Sequence, residues 1–315
     1  MIDRIVDRID RVYRRLQKRR DPLILMYHRV AHAPIDPWGL AVTPEIFDAQ
    51  MAWLAAHRRP VTLDWMVAEL KAGRQPQDAV AVTFDDGYRD VLENGKPSLV
   101  RHNIPATVFI VSGSIGDSRG FWWDGLAEIV HGAPHVPRKL DLPFATPEVA
   151  LACAAGDRSE LTVALWSGIR LLPFDQRHAA IDTLAAAYGI TPPAPPPIMT
   201  EAELHQLTDG GLVTLGVHSV THPSLPSLPD EELHAEIAQC KQALERIMGV
   251  PNRRLAYPFG DNDRRSRKIA RALGFDYAVG VLPGTASRWS RRFRLPRIDV
   301  KNWQPPEFAE RLAWY

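Results

Sequence analysis

Cysteine is scarce in this 315-residue chain: Cys153 and Cys240 are the only two. They form neither a Cys-x-x-Cys pair nor a disulfide framework. Long apolar runs are missing too; runs such as Leu23–Tyr27 fall far below the ~20 residues that span a bilayer. Net charge is almost absent, with 38 Lys+Arg against 37 Asp+Glu and a formal charge of +1. That excludes the basic footprint expected of a nucleic-acid binder. The first residues are charged from Asp3 onward and lack the apolar core of a signal peptide, so a soluble, cytoplasmic protein is expected. What is present is ordinary: 45% hydrophobic and 24% charged residues, which rules out a disordered chain.

Residues 1–21 read as a basic amphipathic helix. Ile2, Ile5, Ile9, Val12 and Leu16 recur at helical spacing among eight basic residues between Arg4 and Arg20. Such a segment can pack on the protein or lie on an anionic membrane surface, and peripheral membrane contact through residues 1–20 is one expectation. From residue 22 the chain reads as one domain. Strands are expected at Leu23–Tyr27, Ala79–Phe84, Ala106–Val111, Val213–Val217, Leu255–Tyr257 and Tyr277–Val281, with a last one at Phe293–Leu295. Helices are expected between them, which makes an α/β fold with a largely parallel sheet. Residues 112–200 are less regular, with helical pieces and a Pro-rich close at Pro192–Pro197, and read as an insertion.

Several of these strands run directly into polar residues: His28, Asp85-Asp86, His218, and Arg297 beyond the last. Barrel enzymes of α/β type build active sites from the C-terminal ends of different strands. Thr83-Phe-Asp-Asp-Gly87 places two carboxylates at a strand-to-loop turn. Neighbours on a strand point to opposite faces, so the two need different roles unless the turn rotates one. His218-Ser-Val-Thr-His222 sets two histidines four apart, a spacing that can bind one divalent cation. Two histidines and a carboxylate form a common catalytic zinc shell with open positions; the same set suits non-haem iron.

Thr83-Phe-Asp-Asp-Gly87, His218-Ser-Val-Thr-His222 and Ala256-Tyr-Pro-Phe-Gly260, in this order, resemble the NodB-like polysaccharide deacetylases, a carbohydrate esterase family. The resemblance covers roughly residues 22–300 outside the insertion. It implies a distorted (β/α) barrel and metal-assisted hydrolysis of an N-acetyl group on a sugar. By position, Asp85 would be the general base, and Asp86, His218 and His222 would bind a divalent ion, most suitably Zn2+. Phe259, with Tyr257 beside it, would serve the substrate and the oxyanion.

The chain departs from the family pattern in three places. The third motif commonly begins with an arginine that orients the base; here that position is Ala256, and Arg297 is the substitute expected. The usual late Asp and Trp motif is not recognisable, and Trp289 and Trp303 match it poorly. No histidine follows His234, so the general acid falls to His28 in Leu25-Met-Tyr-His28, which resembles the branch with an N-terminal Tyr-His. Phe121-Trp-Trp-Asp124 would be a sugar-stacking wall or an apolar anchor for the insertion. The expected activity is removal of N-acetyl groups from an amino sugar in a polysaccharide or its precursor. Alternatives are a deformylase or amidase acting on a lipid-linked or small-molecule sugar, and a carbohydrate-binding protein of the same fold.

Overall fold

The structure, a computed structural model, describes residues 20–191 and 194–315. The N-terminal helix expected over residues 1–21 lies almost wholly outside the described residues, as does the start of the Pro-rich spacer. Among the described helices none is long and apolar enough to cross a membrane.

The centre is a parallel sheet. Strands β1 (Leu23–Tyr27), β5 (Ala79–Phe84), β6 (Ala106–Ile110), β7 (Val213–Val217), β8 (Arg254–Ala256) and β9 (Tyr277–Val279) lie side by side in that order. The two-residue strand β10 (Ile298–Asp299) pairs on the far side of β1, and β4 (Arg59–Pro60) pairs with the start of β5; β2 (Arg29–Val30) and β3 (Ala41–Val42) form a separate pair. One segment joins the two ends of the sheet. Leu295 bridges to Val279 of β9, and three residues later Ile298 pairs with Leu25 of β1. The sheet thus curls into a distorted (β/α) barrel.

The apolar runs are uninterrupted because both strand faces are covered. Leu23, Leu25 and Tyr27 of β1 join Val80, Val82 and Phe84 of β5 in the core beneath helix α1 (Pro44–His57), which contributes Phe47, Met51 and Leu54. The opposite face fills the barrel with Ile24, Ala81, Phe109 and Ala256. Phe109 fits there because residue 216 is glycine: a Cβ at that point would lie 2.3 Å from the ring.

Most expected elements are present within a residue or two. Three departures stand out. The last strand is Ile298–Asp299, with only Leu295 of the expected Phe293–Leu295 in a bridge, because Pro296 and the chain's turn inward at Arg297 move the pairing on. Helices Glu201–Thr208 and Pro305–Ala313 were absent from the expectation; the first starts at a capping box between Thr200 and Glu203, a signal readable at Thr200-Glu-Ala-Glu203. Between β6 and β7 the chain forms helices Trp122–Gly132, Pro147–Ala155, Arg158–Ile169 and Phe174–Tyr188. They share an apolar cluster including Trp122, Leu126, Leu161, Leu165 and Leu184, which packs over the C-terminal end of the barrel.

Candidate active site

Strand alternation carries Ala81, Thr83 and Asp85 onto the barrel-facing side of β5. Asp86 would then face the helices. It does not, because its backbone turns left-handed (φ 74) and both carboxylates end up buried at the same mouth. Six described non-glycine residues have positive φ, and four of them, Asp86, Ser219, His222 and Phe259, belong to this site. Sparsely populated backbone conformations of this kind collect at functional sites.

Asp86, His218 and His222 converge, with one ligand atom from each lying within 4.8 Å of the others. Asp86 Oδ1 is 3.6 Å from His218 Nε2 and 3.5 Å from His222 Nε2. His218 Nδ1 is 2.8 Å from the Ala256 carbonyl. That contact makes Nδ1 the N–H donor and leaves the Nε2 lone pair facing Asp86, as a metal-binding histidine requires. Asp86 Oδ1 and His222 Nδ1 are buried without a hydrogen-bond partner. Burial, reinforced by Asp85 and Asp124, pushes the Asp86 carboxyl well above its ordinary value. Burial likewise lowers both imidazoles, His222 the more strongly because His218 adjoins it. Two neutral imidazoles and a carboxyl short of positive charge fit a divalent cation.

Asp85 is held differently. Arg297 Nη1 donates to Oδ1 at 2.7 Å and Nη2 to Oδ2 at 2.6 Å. The guanidinium is itself fully buried, with Nε donating to the Gly280 carbonyl at 2.8 Å. Burial alone would raise the Asp85 carboxyl, but the Arg297 charge overrides it and keeps the group well below the carboxylate range. Arg297 therefore stands against the expected base, while Ala256, at the motif position, is buried in the barrel interior.

His28, Asp85, Asp86, His218, His222 and Phe259 line one cavity of about 310 Å³. Burial lowers His28, with Asp85 pulling it partly back up. Aromatic rings surround the opening. Trp38 lies 6.0 Å from Trp166, Trp166 5.6 Å from Phe259, and Phe259 6.5 Å from Trp123; Trp38 Nε1 reaches the Trp123 carbonyl at 3.4 Å. Trp123 therefore lines the pocket, whereas Trp122 packs in the insertion core. Trp38 and Trp166 were missed, since a lone tryptophan in a loop or helix carries no spacing signal.

One expected residue is corrected. Tyr257 does not reach the cavity. Its ring is fully buried in the main core, its hydroxyl donates to the Phe293 carbonyl at 3.2 Å and its N–H donates to the Val279 carbonyl. The next side chain to face the site is Phe259, after the turn. Trp289 is exposed and Trp303 packs beside the core; neither lines the cavity.

Known proteins resemble this chain in sequence and in fold. The polysaccharide deacetylase family model matches residues 72–136 and 179–278, on both sides of the middle of the insertion. YxkH of Bacillus subtilis, named provisionally as a polysaccharide deacetylase, is 20% identical over 279 residues, 88% of this chain and 70% of that protein. The poly-β-1,6-N-acetyl-D-glucosamine N-deacetylase of Staphylococcus aureus is 31% identical over 113 residues, 32% of this chain and 39% of the enzyme. Among solved structures, the deacetylase PplD of Streptococcus pyogenes in complex with acetate superimposes with a TM-score of 0.61 at 17% identity, covering 94% of this chain and 99% of that one. IcaB of Ammonifex degensii gives 0.59 at 18% identity, covering 93% and 96%. These structural likenesses establish a common fold.

Proposed function

The chain belongs to the polysaccharide deacetylase family, and from that premise we propose a metal-dependent hydrolase that removes N-acetyl groups from an amino sugar. The observation that carries the proposal is the convergence of Asp86, His218 and His222 directly beside an Asp85 gripped by Arg297.

A divalent cation held by Asp86, His218 and His222, with zinc the best match to the donor set, would acidify water and polarise the amide carbonyl. The rest falls to the chain's own groups. Asp85 would take the proton from the attacking water, and the Arg297 fork keeps it ionised while leaving each oxygen a further lone pair. The Phe259 N–H, in its left-handed turn, would donate to the carbonyl oxygen as negative charge develops there. His28 would give a proton to the nitrogen as the C–N bond breaks; burial makes its protonated form the stronger acid. One C–O bond forms, one C–N bond breaks, and acetate and a free amine leave.

The cavity is at the small end of ligand pockets, and apart from its ionisable groups its walls are apolar. It would admit one pyranose ring, held by stacking of C–H faces on Trp38, Trp123 and Trp166. Poly-N-acetylglucosamine and its oligomers are the first substrates to test, in line with the S. aureus relative. A lipid-carried amino sugar is the second, because Val163 and Val281 on the cavity wall are 56% and 37% exposed. Acetate release should be assayed across polymers, short oligomers, nucleotide sugars and lipid-linked sugars, with matching N-formyl compounds. Acetate from at least one N-acetyl sugar supports the proposal; formate alone would replace it with a deformylase.

A further inference from the structure

The loop carrying the two histidines is held at most of its backbone groups by parts of the chain outside it. Glu236, on the helix Asp230–Met248, accepts from the Val220 and Thr221 N–H groups through Oε2 at 2.8 and 2.9 Å, and from the Thr221 hydroxyl through Oε1 at 2.6 Å. Ser219 Oγ accepts the His222 N–H at 3.0 Å. The carbonyls are taken from the insertion side. Ser112 N–H donates to Ser219 O and Gly113 N–H to Val220 O, at 3.1 and 2.9 Å. Arg177, on the helix Phe174–Tyr188, donates through Nη1 to Thr221 O at 3.1 Å and His222 O at 3.4 Å. Glycine is needed at 113, where a Cβ would sit 2.5 Å from Val220 O.

Ser219 and His222 both need this support, being non-glycine residues at φ 68 and 53. Arg177 is 95% buried, and burial lowers its pKa with Glu236 opposing. A buried guanidinium that bridges two loop carbonyls to the Leu172 carbonyl of the insertion, with the Glu236 carboxylate on the N–H groups of the same loop, is a costly arrangement for mere anchoring.

We propose that Arg177 and Glu236 are positioning residues for the metal site, and that the insertion takes part in that site by fixing His222 in its left-handed, ligand-presenting conformation. The inference rests on the metal-site reading above. Loss of a partner that orients a metal ligand typically weakens metal binding by ~10–100-fold.

The test is zinc affinity of the metal-stripped full chain, by competition with a chromophoric chelator, alongside the melting temperature of the same stripped protein. Arg177→Met and Glu236→Gln should each weaken zinc ~10–100-fold, and Arg177→Lys, which keeps one charged donor, should recover part of that loss. Arg158→Met is the control. Arg158 also anchors the insertion, donating to the Val130 and Ala133 carbonyls, but touches no part of the histidine loop. It should lower the melting temperature and leave zinc affinity unchanged. Unaltered affinity in Glu236→Gln and Arg177→Met, or an equal loss in Arg158→Met, would overturn the inference. Absence of zinc binding by the unmodified chain would remove the metal site itself.

Discussion

Arg297 and Asp85 are joined by two parallel hydrogen bonds of 2.7 and 2.6 Å, with both side chains buried. The arginine enters the barrel interior above Phe109, its guanidinium carbon 5.7 Å from that ring. It reaches the carboxylate across the seam where the sheet ends meet.

Breaking a buried pair from one side leaves an uncompensated charge, which typically costs about 3–5 kcal/mol. Asp85→Asn and Arg297→Met should each lower stability on that scale, and the double variant should lose clearly less than their sum. Urea unfolding of the four proteins measures this. Additive losses would show that the two groups do not act as a pair. Asp85→Asn should also retain zinc while losing ~10²–10⁴-fold in turnover, the usual contribution of a general base.

His28→Ala should lower turnover while zinc binding and melting temperature stay close to those of the parent. If it protonates the departing nitrogen, the loss should shrink for amides whose amine is a better leaving group. A loss of the same size across a series of N-acetyl anilides with increasingly acidic amines would show that His28 acts elsewhere in the reaction.

Asp124 offers a pH test at a buried carboxyl that takes no step in the reaction, although its charge reaches Asp86. Burial, only partly offset by Arg29, raises its carboxyl to about 7, while it accepts a 2.9 Å hydrogen bond from the Tyr88 hydroxyl. The folded state therefore holds a proton that the unfolded chain has lost above its ordinary value of 3.8. This contribution to stability is complete below pH ~4 and is lost as pH rises towards about 7. Asp124→Asn, which keeps the acceptor without the charge, should gain in melting temperature relative to the parent between pH 4 and 7, with no further change above. A difference independent of pH would show that Asp124 is ionised in the fold.

Legibility in the sequence followed locality. The strand Ala79–Phe84 and the Asp-Asp-Gly turn after it are one uninterrupted segment, and both were readable. So was the His218–His222 loop. The rotation of Asp86 into the site was not, because it depends on a left-handed backbone at a residue that could equally have stayed extended. Arg297 was legible only as a gap at Ala256 awaiting an arginine; its contact spans 212 residues of sequence. Tyr257 was misplaced because a motif names neighbours without saying which side chain turns inward. Arg177 and Glu236 carried no signal, since each meets the histidine loop only through tertiary packing.

The central claim is that Asp86, His218 and His222 hold one metal ion on which amide hydrolysis depends. Acetate release from N-acetylglucosamine oligomers by the metal-stripped chain, titrated with zinc, tests it directly. Activity should start near zero, rise with added zinc and level off at one equivalent per chain, and a His218→Ala/His222→Ala double variant should stay flat. Full acetate release by the stripped chain, or an undiminished zinc response in the double variant, would contradict the account.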